Sequence, residues 1–396
     1  MKTEYLSDDL LDEGYLKLFA PFRFCQLFFG SCRIDARDRF VTAPTWGQKA
    51  YTVIILILAA ALHVYVISYN ISKLYEYQII YNICVLFSTL NFIMYALNII
   101  HVRFMNNENN VKFYIQTQKA DRKLKISGNN PCNMVLYYIN LCSVGFLIVL
   151  TLIVLSVVYI YSKELFASFA GLLFLQLTSL MEWIFCSNII IYFCLRLRFI
   201  NAIMRNHLKG LPNGREVNSK FFLPTRKSMR CVVANMHELN SSATDEYLKD
   251  IFDVISRFQE LFRFQVLLFC FKFVLTALLV FEFILLAMQN NILRWLEFIL
   301  LPFQTVIDLM MIVVFCVRCE AFRIEIQDIK RLSTTLLSIY QEGPIREKAR
   351  KMLKLINEKP PHISVYDMWN MDASTMLNMI NVVTTLLVTL LQFALL

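Results

Sequence analysis

The chain has 396 residues, of which 57% are hydrophobic and 14% aromatic, above the ~45–50% apolar share of an ordinary soluble domain. Its 9 Gly and 9 Pro argue against a loop-rich or low-complexity protein. The net charge of +9 would suit nucleic acid or an anionic membrane surface; no nucleic-acid motif is present, and the placement of the charges favours the membrane. The first 49 residues open without a signal-peptide pattern, because Asp8, Asp9, Asp12 and Glu13 stand where a basic and then an apolar stretch is needed. Residues 15–30 are apolar and aromatic but interrupted by Lys17, Pro21 and Arg23, which predicts an interfacial or re-entrant piece rather than a span.

Seven apolar runs follow, at 50–69, 79–101, 134–161, 167–195, 264–288, 298–317 and 374–396, and about 20 apolar residues suffice to cross a bilayer as a helix. Pro302 is expected to kink the sixth near its start. The connections after spans one, three and five are short and carry only Lys73, Lys163 and Arg294 as basic residues. Those after spans two, four and six are long and basic: Arg103 to Lys125, Arg196 to Arg230, and Arg318 to Lys351. Positive loops stay in the cytoplasm, which puts the N-terminus inside and the C-terminus outside, the reverse of a G-protein-coupled receptor. Within the inner connections, 246–262 and 321–337 read as amphipathic helices that extend spans five and six. Residues 345–357 read as a basic helix ended by Lys359-Pro360-Pro361, and Asp372 is placed to cap the last helix.

Chemistry of other kinds finds little support. Most of the 11 cysteines fall in apolar runs and none in the short outer loops, so no disulfide framework is expected. The pair Cys316 and Cys319 lacks a second pair, and His237-Glu238 lacks a second His at metalloprotease spacing. No metal, cofactor or enzyme activity is expected. Two sequons occur: Asn70, which hugs the membrane outside, and Asn240, placed inside and so expected to be unmodified.

Ionisable residues inside spans are the informative ones, since each charge costs about 2.5–3.5 kcal/mol at a helix centre. They are His63, Glu182, Lys272, Glu282 and Asp308. Glu182 and Lys272 fall at comparable depth, which predicts a structural ion pair. Glu282 and Asp308 lie from the outer half to the centre; with His63, Asn91, Tyr95 and Trp183 they are candidates for lining a small-molecule cavity, although packing alone would account for each. In the last run, Ser374, Asn378, Asn381, Thr385, Thr389 and Gln392 share one helical face. Such a stripe is either glue between helices or, in several copies, the lining of a pore.

The end of that run, Val383 to Phe393, resembles the signature of the insect gustatory receptors, Thr-Tyr, five mostly apolar residues, then Gln-Phe. Thr385, Gln392 and Phe393 match in identity and spacing, while Leu386 replaces the usual Tyr. The span count, inverted topology and helical inner loops also fit. The resemblance implies an all-α receptor with seven transmembrane helices. It would be a homotetrameric or heteromeric ligand-gated cation channel in the plasma membrane of a sensory dendrite, opened by a small-molecule tastant. Residues 1–49 would form a cytoplasmic segment. Residues 50–317 would form a six-helix ligand-binding bundle in contact with membrane lipid, with inner extensions at 102–133 and 196–263. Residues 318–371 would be a cytoplasmic anchor through which subunits meet, and 372–396 the pore helix. Asn378, Asn381, Thr385, Thr389 and Gln392 would line the pore, with Leu391 or Phe393 as a seal. Sugar receptors of the family tend to carry Glu where this chain has Leu387, which leaves bitter or other plant-derived compounds. A secondary transporter would show inverted repeats, which are not found.

Overall fold

The computed structural model describes residues 10–36, 39–74, 77–123, 131–161, 163–209, 244–290 and 295–395. The described residues are almost wholly helical. In order the helices are α1 (Glu13–Phe28), α2 (Trp46–Leu74), α3 (Gln78–Ile100), a π-helical turn (His101–Met105), α4 (Asn107–Lys123), α5 (Pro131–Tyr161) and α6 (Lys163–Lys209). After them come α7 (Thr244–Gln289), α8 (Trp295–Ile339), α9 (Pro344–Glu358) and α10 (Ala373–Leu395). A two-residue hairpin, β1 (Ser364–Val365) with β2 (Trp369–Asn370), precedes the last helix. Among the described residues α2, α3 with its π-turn, α5, α6, α7 and α10 are each long and apolar enough to cross a membrane. The remaining expected span falls in α8, which runs on through Pro302.

The bundle is ordered by polarity. α2 and α5 turn exposed Ile57, Leu58, Val64, Phe146, Leu152 and Ile153 outward, as lipid-facing helices do. α6 lies at the centre, packed against α1, α2, α3, α5, α7 and α8, with Ile189, Ile190, Phe193 and Leu197 fully enclosed. It continues past the expected end at 195 to Lys209, so span four also extends below the bundle. α7 and α8 do the same as single helices, bearing out the extensions read from their amphipathic patterns. At ~1.5 Å rise per residue, the 46 residues of α7 are about 69 Å long, over twice the hydrocarbon thickness.

Ion pairs cross-link this lower part. Arg196 pairs with Asp121 of α4 at 2.7 Å and donates to Asn133 at 2.7 Å. Arg198 pairs with Glu325 at 2.5 Å, Arg205 with Asp328 at 2.5 Å, and Lys123 with Asp250 at 2.5 Å. α9 packs Ala349, Met352 and Ile356 against this base, and Pro344 at its first turn has no N–H to leave unbonded.

α1 has 16 residues, ~24 Å of helix and too short to span. It buries Tyr15, Leu18, Phe19 and Phe22 against α5 and α6 while leaving Phe24, Leu27 and Phe28 exposed. The chain beyond it, Ser31 to Asp35, is buried throughout. The hairpin turns on Tyr366 and Asp367, both at positive φ (50° and 57°), where the Ser364 hydroxyl donates to Asp367 at 2.8 Å. Arg263 of α7 lies 4.7 Å over the Tyr366 ring and ties the hairpin to the bundle. α10 then starts as expected: Asp372 accepts the Thr375 N–H at 2.9 Å. The sequon at Asn240 lies outside the described residues, as do the side chains of Asn70 and Phe393.

Candidate ligand cavity and pore helix

The expected pair between Glu182 and Lys272 does not form; each has a different partner. Arg33, from the buried segment after α1, pairs with Glu182 at 2.6 Å. Glu182 also accepts hydrogen bonds from Gln26 at 3.0 Å and Ser31 at 2.9 Å. The same guanidinium donates to Gln265 at 2.8 Å, lies over the rings of Phe262 (4.4 Å) and Phe185 (5.2 Å), and is 2% exposed. Gln265 passes the chain on to Asn98 at 2.5 Å. Lys272 instead faces Asp308 of α8 at 3.7 Å, and Gln176 of α6 joins them, accepting from Lys272 and donating to Asp308 at 2.7 Å. Glu182 and Lys272 do line the same cavity, as side chains at comparable depth can. Counting from span ends could not give the direction each faces.

Two cavities flank these networks. The inner one lies among α3, α6 and α7, and Asn98, Glu182, Trp183, Gln265, Phe269 and Lys272 are among the residues that line it. Trp183 stacks on Phe269 at 4.1 Å and 13°, and its indole N–H donates to the Met311 carbonyl at 3.0 Å. The outer one lies among α5, α6 and α8, towards the end of the bundle that carries the α5–α6 connection. Its wall is Leu147, Leu150, Val154, Phe169, Leu173, Leu177, Leu180, Phe303 and Ile307, relieved only by Thr151, Gln176 and Gln304. The Thr151 hydroxyl is spent on the Leu147 carbonyl at 2.8 Å.

The candidate ligand residues are dispersed. Trp183 lines the inner cavity, and Asp308 reaches both through Gln176 and Lys272. His63, Asn91, Tyr95 and Glu282 line neither of the two cavities. His63 stacks on Phe92 at 5.0 Å and bonds Ser88 at 3.0 Å, fastening α2 to α3. Asn91 donates to the Phe87 carbonyl of its own helix at 2.9 Å. Tyr95 is buried against Phe174. Glu282 is half-buried on α7.

α10 packs on α7 and α8 through one face, where Val383 is buried and Met376, Met379 and Leu387 are half-buried. Ser374, Asn378, Asn381, Thr385, Thr389 and Gln392 are all exposed. At about 100° per residue they lie on the opposite side of the helix. The stripe is therefore not glue within the subunit.

This helical architecture has known counterparts. The family model of the 7tm chemosensory receptors matches residues 15–396. The chain belongs to that family. Members of the chemosensory receptor family are ligand-gated cation channels, not enzymes, and multi-pass membrane proteins. No curated protein matches the chain. Among solved structures, the insect olfactory receptor OR5 from Machilis hrabei shares the fold at a TM-score of 0.57 and 11% identity, covering 96% of this chain and 100% of that one. The same receptor in complex with eugenol aligns at a TM-score of 0.56 and 12% identity, covering 96% of this chain and 97% of that one.

Proposed function

We propose that the chain is a gustatory-type chemosensory receptor, a ligand-gated cation channel of the sensory-neuron plasma membrane that assembles as a homotetramer or with related subunits. The proposal rests above all on α10, whose uncharged polar stripe faces away from its own subunit. Four such helices around an axis would line a pore with rings of Asn378, Asn381, Thr385, Thr389 and Gln392. Neutral hydroxyls and amides replace part of an ion's hydration without holding it tightly, so weak selectivity among small cations is expected. Expression in a cell without other receptors, with cation current read in excised patches, tests the assignment. Current that needs a G protein would overturn it.

The outer cavity is the proposed ligand site. No charged side chain lines it, so it suits a neutral, largely apolar molecule with one or two hydrogen-bonding groups, and offers a sugar too few partners. Eugenol, bound by the Machilis hrabei receptor, is a molecule of this kind. Leu177→Trp fills that space and should abolish the response to an agonist found by panel screening, with resting current unchanged. A full response with unaltered half-maximal concentration would move the site elsewhere.

The same reading needs a cytoplasmic N-terminus and an extracellular C-terminus. An epitope after Leu396 should be reached by antibody on intact cells, and Asn240 should carry no glycan. Surface labelling of an N-terminal epitope instead would invert the arrangement.

A further inference from the structure

Gln176 occupies a position that neither the ligand cavity nor the ion pair alone explains. It lines the outer cavity one turn from Leu173 and Leu180, yet it is only 5% exposed and its carboxamide is turned into the interhelical network. Its Nε2 donates to Asp308 Oδ1 at 2.7 Å, and its Oε1 accepts from Lys272. Lys272 and Asp308 do not close on each other as a tight pair: Nζ to Oδ2 is 3.7 Å, and that Oδ2 has no hydrogen-bond partner among the described residues. Gln176 thus acts as a spacer between a cation on α7 and a carboxylate on α8. A primary carboxamide has two N–H groups and two acceptor positions. The bonds to Asp308 and Lys272 leave one of each for a molecule in the cavity. α7 and α8 are also the two helices on which α10 rests.

We propose that Gln176 is the positioning residue through which the outer cavity acts on the pore. A ligand group that bonds its carboxamide draws it from Lys272 and Asp308, the spacing of α7 and α8 changes, and α10 moves with them. A ligand shifts the equilibrium only by binding one arrangement better than the other, and a bond to the spare N–H or acceptor that is best made with the carboxamide turned towards the cavity supplies such a difference. The inference rests on the channel reading above and on α10 as its pore.

The test needs no identified ligand. Thr389→Cys places a thiol on the exposed stripe, and its rate of modification by an external methanethiosulfonate reagent reports the resting pore, normalised to surface-labelled receptor. Gln176→Leu removes both bonds at nearly constant volume and mimics a withdrawn carboxamide. It should raise that rate and the resting current by about tenfold, the order expected for losing a hydrogen bond to a charged group. Added to Lys272→Met/Asp308→Leu, the same change should alter the rate by less than about twofold, because the groups it spaces are gone. Gln176→Glu/Asp308→Asn reverses the polarity of one bond while keeping the acceptor for Lys272, and should return the rate towards wild type. Where the leucine variant fails to reach the surface, Gln176→Asn, one methylene shorter, should give the same rise. A resting rate indifferent to Gln176, or an undiminished effect in the neutralised background, overturns the coupling. If Thr389→Cys reacts in no background, it is the pore assignment that fails.

Discussion

Glu182→Gln, made alone, should cut surface expression severely, because it leaves the Arg33 guanidinium charged at the centre of the bundle. Arg33 is 2% exposed and Glu182 is its ion-pair partner at 2.6 Å. Breaking a buried pair from one side costs about 3–5 kcal/mol, a large part of the roughly 5–15 kcal/mol that holds a typical domain together. Arg33→Met should do comparable damage by stranding the carboxylate, although its thioether still fits between Phe185 and Phe262. The double variant has no stranded charge and should recover part of the loss. Surface biotinylation and thermal melting of detergent-extracted receptor provide the measurement. Fully additive losses in the double variant would show that the pair does not act as a unit.

The second large effect concerns the final helix. Cysteines at Asn381, Thr385, Thr389 and Gln392 should react with external thiol reagent at least about tenfold faster with agonist than those at Met379, Val383, Leu387 and Leu390, because in the proposed pore only the first set would face a water-filled path. Gln392→Ala should change conductance or resting current while moving the half-maximal agonist concentration less. The reverse pattern, with Leu387 and Leu390 reactive and the stripe protected, would place the stripe in a dry contact and the pore elsewhere.

What could be read from the chain divides along physical lines. Spans, inner extensions and the Asp372 cap depend on periodicity and on neighbours within a few residues; helices cover each expected span, although the fourth runs on to Lys209, and the cap forms. The stripe on α10 was equally visible, since residues on one helix fix each other's direction. Its relation to the rest of the subunit was not, because nothing local says which face meets α7 and α8. The Arg33–Glu182 pair was hidden for a related reason. Its members are 149 residues apart, and one belongs to a segment that does not span. Gln176 carries no such local sign: the two charges its carboxamide bridges lie 96 and 132 residues away on α7 and α8. His63 illustrates the converse: an ionisable ring in a span, used to fasten α2 to α3.

The outward stripe also bears on how many chains a membrane must hold before any of them is comfortable. Asn378, Asn381 and Gln392 have no hydrogen-bond partner among the described residues, whereas Thr389 folds its hydroxyl back onto the Thr385 carbonyl at 2.9 Å. In a solitary subunit those amides would meet hydrocarbon, where an unsatisfied polar group is expensive. Closing a ring exchanges lipid for water and neighbouring amides along the whole stripe at once. In the proposed assembly partial rings would leave some stripes stranded, so intermediates would be penalised and assembly would come close to all-or-none. If α10 lines a pore as proposed, the chemistry that would suit it to passing ions would also make a lone copy a target for retention before it reaches the cell surface.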